Sequence, residues 1–388
     1  MKNQQNNFIK LYLFTYMAIG TLLPLLGQYL STLGFSGSEI GIVTGTGTMV
    51  SIFAGPFWGK VYANSKGKQK LLLGLCLCAA LVALFLMQVG IFPLFVGIFA
   101  LMYFFQSPIM ALSDAMTVEH KQPFGFIRLW GAVGFAAGGL LAGEVAKYLQ
   151  LKWIFIFYGL CYLTAAIILI FIHRGGLHQG NSPQEKAAAR EEKEKKSYRH
   201  LFANKRYLQL LLCAFFFCGT NVANNTYFSF LYVEGGGTVA GVGLAFFLMA
   251  GSEAPFMAWT ARLARRFTLE KLLLFAMILS TLRFAWYATG PDSTVLLLTF
   301  FLQGMVNGIL LVEFIRYIAR LVQPDYSGVA IALYYSLSSG GSTILCQLVG
   351  GRILDFTGSW GVYLFFALLN LMGTLLYLFF GLQKEEKE

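Results

Sequence analysis

Charge is scarce in this sequence. Only 12% of its 388 residues are Asp, Glu, Lys or Arg, about half the share usual in soluble globular chains. A soluble protein of this length needs a charged surface over its core, and too few charges are present to coat one. That excludes an ordinary soluble domain and leaves a surface solvated by lipid, in keeping with 57% hydrophobic residues. Other absences narrow the chemistry. The six cysteines (Cys76, Cys78, Cys161, Cys213, Cys218, Cys346) sit inside apolar runs without zinc-like spacing and read as buried packing thiols. No phosphate loop, metal-ligand cluster or nucleophile triad occurs. GTGTMV from Gly45 lacks the lysine a nucleotide loop needs and lies inside an apolar run. Neither an enzyme nor a cofactor is therefore expected. The first apolar run, from Phe8, lacks a small-residue cleavage site and reads as a spanning helix rather than a signal peptide.

Long apolar runs are what the sequence has. Stretches near the length of about 20 residues needed to cross a bilayer lie at 8–30, 38–62, 70–90, 93–117, 125–147, 152–173, 205–233, 238–264, 270–289, 293–320, 327–352 and 358–382. The spacing predicts an all-α membrane protein with twelve transmembrane helices. One polar segment, 174–204, contains EKAAAREEKEKK and reads as a cytoplasmic linker between an N-terminal six-helix bundle (1–173) and a C-terminal one (205–388). The net charge of +11 does not point to nucleic acid, because the basic residues are spread over short loops. Lys60, Lys66, Lys68, Lys70, Lys121, Arg174, Lys205, Arg206, Arg262, Arg265, Arg266, Lys271 and Arg320 fall in even-numbered loops. The odd-numbered loops hold little beyond Lys147, Lys152 and Arg352. Positive loops stay inside, so both termini are expected in the cytoplasm.

The halves echo each other. QYLSTLGFSGSEIGIV at Gln28 returns as SFLYVEGGGTVAGVGL at Ser229, and GEVAKYLQLKWIF at Gly143 as GRILDFTGSWGVY at Gly351. Pro56 and Pro255 each precede a basic loop. Duplicated halves suggest two pseudo-symmetric bundles around a central pathway.

An ionisable side chain deep in a spanning helix costs roughly 2.5–3.5 kcal/mol on insertion scales, so each is a functional candidate. Asp114 and Arg128 lie on consecutive spans and can neutralise each other, either as a permanent clip or as a solute-binding or gating pair. Glu253, in GSEAPF, has no basic residue nearby in sequence. Burial disfavours the charged form of such a carboxyl, which suits it to carry a proton or to receive hydrogen bonds from a solute. Arg283, one span later, is its expected partner. Glu313 and Arg316 read as a solvated pair near a helix end. Asn221, Asn224 and Asn225 suit either solute binding or interhelical hydrogen bonding. Trp130, Trp286, Tyr287 and Tyr334 are aromatic candidates for a cavity wall. Glycines cluster in the second, fifth and eleventh spans, where small residues let helices approach closely.

The segment FGFIRLWGAVGF, residues 124–135, resembles the fifth-helix signature of the lactose permease, nucleoside–proton symporter and phenylpropionate permease group of the major facilitator superfamily. PLLGQYLSTLGFSGSEIG, AGSEAPF and RLARRF fit the same group, and the likeness covers nearly the whole chain. It implies that Arg128 binds solute, that Phe135 stacks on it, and that Glu253 and Arg283 take part in proton coupling, with Asp114 a second carrier. It also shows departures. Met110 stands where the permease has its sugar carboxylate, and Asn221 and Asn224 where it has aspartates. Gly340 and Phe300 stand near their lysine partners, and Gln303 and Val306 near its histidine and carboxylate. Charges are missing in pairs, so lactose specificity does not carry over. The basic loops with Lys60 and Lys68, and with Arg262 and Arg265, are the expected gating loops. Ala63 replaces the acidic residue usual in the first of them.

These features together predict a monomeric secondary transporter of the bacterial cytoplasmic membrane. It would import a small polar or aromatic solute (sugar, nucleoside or aromatic acid) with protons. Arg128, Asp114, Asn221, Asn224, Glu253 and Arg283 are expected to line its cavity. A proton-driven exporter of drugs or metabolites, and a membrane sensor that no longer transports, are compatible with the same features.

Overall fold

Hydrocarbon offers no water to a backbone amide, so a crossing segment must close its hydrogen bonds internally, as a helix does. The computed structural model describes residues 2–173 and 201–384, which are helical and contain no strand. The helices are α1 (Gln4–Thr32), α2 (Gly37–Asn64), α3 (Lys68–Leu86), α4 (Phe92–Glu119), α5 (Phe124–Tyr148) and α6 (Ile154–His173). After the connecting segment, which lies outside the described residues as far as 200, come α7 (Lys205–Glu234), α8 (Val239–Arg266) and α9 (Leu269–Tyr287). They are followed by α10 (Ser293–Leu321), α11 (Ser327–Thr357) and α12 (Ser359–Phe379). Among the described residues eleven helices are long and apolar enough to cross a membrane. The twelfth, α9, has 19 residues and carries Glu270, Lys271 and Arg283; it packs between α10 and α12.

Local sequence explains several boundaries. Ser36 starts α2 with a capping box, its hydroxyl accepting from Glu39 N–H while the Glu39 carboxylate accepts from Ser36 N–H. Asn204 and Thr238 cap α7 and α8 with the side-chain oxygen alone, accepting from Tyr207 N–H and Gly241 N–H. The helical run of α1 is interrupted at Leu23–Leu25, around Pro24, whose ring removes a donor. Gly358, at φ 77°, joins α11 to α12 in a conformation that glycine adopts without strain. Tyr334–Gly341, within α11, is π-helical, a local widening that recurs at functional sites.

α1 packs on α5 and α6, α2 on α4, and α3 on α4 and α6. In the second half α7 packs on α11 and α12, α8 on α10, and α9 on α10 and α12. The two sets meet mainly along α2–α11 and α5–α8. Both contacts are made by glycine. A Cβ at Gly243 would strike the Gly139 carbonyl, and one at Gly143 would lie 2.5 Å from the Ala240 carbonyl oxygen. Likewise a Cβ at Gly41 would strike the Gln347 carbonyl, and one at Gly351 the Gly37 carbonyl. These glycines allow backbone-to-backbone packing that any side chain would prevent.

Within each half, consecutive helices are joined by short turns and alternate in direction. The end of α5, the start of α8, the start of α2 and the end of α11 therefore share one end of the molecule. The glycine seams close that end. The start of α1, the end of α6, the start of α7 and the end of α12 lie at the opposite end.

Candidate functional site

The pair α5–α8 shows how the cavity arises. Its backbones touch at Gly139–Gly143 and Ala240–Gly243. One turn further on, Phe135 and Phe246 place their rings 6.5 Å apart. Beyond that the helices separate around a cavity of about 780 Å³. Its walls come from both halves. Tyr16, Met110, Phe124, Arg128, Leu129 and Phe135 line one side; Asn225, Met249, Glu253, Met257, Asn307 and Arg316 line the other. The lining reaches the first residues of α5 and so runs toward the end opposite the glycine seams.

Arg128 is built into its wall from behind. Its Nη1 donates to Asp114 Oδ2 at 2.5 Å. The other Asp114 oxygen accepts from Tyr12 Oη at 2.6 Å, and Tyr12 Oη accepts from Thr117 Oγ1 at 3.1 Å. The guanidinium also lies 5.7 Å from the Tyr16 ring and 6.0 Å from the Phe124 ring, within cation–π reach. Both halves of the pair remain wet, with side chains 43% and 28% exposed. Arg128 thus keeps N–H groups for an oxygen-bearing ligand, and Asp114 fixes its direction.

Glu253 differs. Among the described residues its carboxylate has no ion pair and no hydrogen-bond partner. Its backbone is held firmly, because Gly304 and Gly308 of α10 press against α8 around it and Ser252 Oγ donates to the Phe301 carbonyl at 2.8 Å. The cavity therefore presents one unpaired carboxylate on a rigid support.

Several sequence expectations change here. Arg283 does not pair with Glu253. It is 3% exposed, donates from Nη2 to Asn221 Oδ1 at 3.0 Å and lies 4.5 Å from the Phe284 ring. Its Nε and Nη1 are buried without a hydrogen-bond partner among the described residues. The reason is direction: α9 packs on α10 and α12, and scarcely on α8. Asn221 and Asn224 do not line the cavity either. Asn221 donates to the Phe217 carbonyl at 2.8 Å, and Asn224 accepts from Tyr363 Oη at 2.7 Å. Asn225, one turn beyond Asn221, does line it. Asp114 stands behind the wall, supporting Arg128. Trp130, 36% exposed, is not a wall residue, whereas Phe135 is. Glu313 and Arg316 do pair, at 2.8 Å, but Glu313 is fully buried rather than solvated. Of the expected gating residues, Lys60 is exposed. Lys68 binds Glu119 at 2.7 Å and lies 5.0 Å from the Tyr62 ring. The Arg262 and Arg265 side chains lie outside the described ones.

Sequence reasoning missed Arg316, Met249, Met257 and Tyr16 as wall residues. Met110, marked only as a departure, is one as well. For the two methionines of α8 the signal is their spacing from Glu253. Met249 and Met257 stand one turn either side of Glu253 on the same helix face.

Known proteins agree with this architecture. The model of the MFS_1 like family matches residues 7–365. A maltose permease of Geobacillus stearothermophilus is 34% identical over 372 residues, covering 95% of this chain and 92% of the permease. A probable 3-phenylpropionic acid transporter of Escherichia coli is 24% identical, covering 95% and 96%. The crystal structure of the nucleoside transporter NupG superposes with a TM-score of 0.83 at 17% identity, over 99% of this chain and all of that one; at that identity it speaks for the fold alone. On the match to residues 7–365, and on the whole-length likeness to permeases, the chain belongs to the MFS_1 like family and is a solute transporter with the major facilitator fold.

Proposed function

We propose that this transporter is a proton-coupled symporter that imports a small polar or aromatic organic solute by alternating access across a bacterial cytoplasmic membrane. The observation that carries the reading is Glu253, a cavity-wall carboxylate with no partner among the described residues, on the half opposite the ion-paired Arg128. A carboxyl group without a fixed counter-charge can take up and release a proton as solute comes and goes. A wall that presents a guanidinium and a protonatable acid can bind oxygen-rich solute and proton together. In this reading Arg128 directs hydrogen bonds to the solute, Phe135 packs on its apolar face, and Glu253 links occupancy to protonation. Asn221, Asn224 and Arg283 act behind the wall, where they fix α7 against α9 and α12. With both termini in the cytoplasm, the glycine seams would close the outer side and the cavity would open inward. Rocking of the bundles about the cavity would open the seams.

The whole-length likeness to a maltose permease makes a sugar the first solute to test, followed by an aromatic acid and a nucleoside. Met110, Met249, Met257 and Leu129 give the cavity an apolar share. This supports a second reading, export of amphiphiles.

Purified protein in liposomes containing a pH-sensitive dye tests both. Maltose, 3-phenylpropionate and uridine would be added outside in turn. Symport predicts acidification of the lumen with one of them, and uptake that rises with an inward proton gradient. Solute flux indifferent to the gradient overturns coupling. Flux only against an inward proton gradient establishes the exporter, and uptake of none of the three overturns this solute class.

A further inference from the structure

The cavity contains a second guanidinium. Arg316 of α10 lines it from the half opposite Arg128. Both arginines are constructed alike. Each has a carboxylate of its own half behind it, Asp114 at 2.5 Å and Glu313 at 2.8 Å, and each remains partly open, 43% and 40% exposed. Glu313 is buried more deeply than Asp114, with no exposed side-chain surface and an Oε2 without a hydrogen-bond partner among the described residues.

Stability alone does not account for this arrangement. An ion pair with one partner in water contributes little, about 0–1 kcal/mol, whereas desolvating a carboxylate costs several kcal/mol. A water-facing arginine at a helix end needs no buried acid. A guanidinium that must hold one direction does, because Glu313 anchors Nη1 and leaves the other N–H groups to donate elsewhere. No other hydrogen bond of Arg316 occurs among the described residues.

We infer that Arg316 is the solute-contacting residue of the C-terminal half and that Glu313 is its positioning residue. Solute would then be held by two guanidiniums, one per half, that donate to hydroxyl or carboxylate oxygens at separate points on one molecule. Contact with both halves gives the solute unequal affinities for different arrangements of the bundles, the condition for coupling its binding to their motion. The inference rests on the transport proposed above and adds a recognition point that the likeness to the permease group did not supply.

The test uses uptake into proteoliposomes by wild type, R316Q, R316K, E313Q and E313D, with whichever of maltose, 3-phenylpropionate and uridine the wild type accepts. A lost charge-assisted hydrogen bond predicts a KM about tenfold or more higher in R316Q, with Vmax within about twofold by the same reasoning. E313Q is expected to raise KM as well, with partial recovery in E313D. R316K is expected to fall between wild type and R316Q, and it keeps the question answerable if R316Q fails to fold. A merely structural pair gives the opposite split: a lower melting temperature and Vmax with KM unchanged in all four variants. That result overturns the inference and leaves the transport reading intact. Wild-type uptake of none of the three solutes overturns the transport reading, and this inference with it, before any variant is made.

Discussion

Asp355, near the end of α11, caps α2, a helix of the other half. Its Oδ1 accepts from Gly37 N–H at 2.5 Å, and its Oδ2 accepts from Ser38 N–H at 2.8 Å and from Ser38 Oγ at 2.5 Å. Ser36 satisfies the next amide, Glu39 N–H. The first turn of α2 is therefore satisfied partly by its own sequence and partly across the interface, at the end that the glycine seams close. A negative charge at a helix start also meets the positive end of its dipole.

These bonds exist only while the seam is closed. Each charge-assisted bond contributes about 1.5–3 kcal/mol, so removing the carboxylate shifts the population toward the open-seam state. In a cysteine-free background, spin labels at Tyr148 and Trp360 report the separation of the halves at that end. D355A is expected to enrich long distances relative to wild type. Unchanged distance distributions would show that the cap does not hold the seam.

The glycine contacts predict an all-or-none steric effect. Gly243 abuts the Gly139 carbonyl, and no side chain fits between them. G243L is expected to abolish net transport while retaining solute binding, with the same spin-label pair fixed at long distance. Full transport activity in G243L would contradict backbone contact as the basis of closure.

Arg128 and Asp114 are expected to behave asymmetrically. R128Q strands Asp114 beside Tyr12 and removes the solute donor, and it is expected to raise KM at least as much as R316Q. R128K keeps the charge but not the fork that lies between Tyr16 and Phe124, so its KM falls between wild type and R128Q. D114N leaves the donor and frees its direction, with a smaller rise. Uptake kinetics of the three variants check the order. Equal KM in all three would assign the pair to helix clipping alone.

Glu253 gives the pH dependence its sign. In the proposed cycle the solute-binding cavity holds Glu253 protonated. Apparent affinity is then full at acid pH and falls as pH rises through the titration of Glu253. E253Q mimics the protonated acid, so its affinity is expected to be level over the same range. Binding measured by intrinsic tryptophan fluorescence from pH 5 to pH 9 separates the two curves, a range chosen to span the usual reach of perturbed carboxyls, about 4–9. Parallel curves would remove Glu253 from the solute–proton link.

Much of the fold was legible because bilayer thickness sets the length of each apolar run and repeated loop charges mark the halves. The cavity was less legible, for a specific reason. Asn221 and Asn225 share a helix face one turn apart. Whether that turn meets solvent or a neighbour depends on Arg283 and Gln303 reaching Asn221 from 62 and 82 positions away. Arg283 and Glu253 were matched because their helices are consecutive, yet α9 turns its arginine toward α7. Arg316 and Glu313 read as solvated because they lie close to a helix end. In the folded chain the halves separate at that end, so the arginine becomes wall and the acid becomes core. Glu253 and Arg128 were found because each is an ionisable residue within an apolar span, a signal that does not depend on distant contacts.

Coupling in this transporter rests on Glu253 carrying the proton that accompanies the solute. Its most direct test compares solute-driven proton flux with exchange of labelled solute in proteoliposomes of wild type and E253Q. Wild type is expected to acidify the lumen when solute enters, and E253Q to exchange labelled solute across the membrane but move no protons. Proton flux in E253Q equal to that of wild type would contradict it.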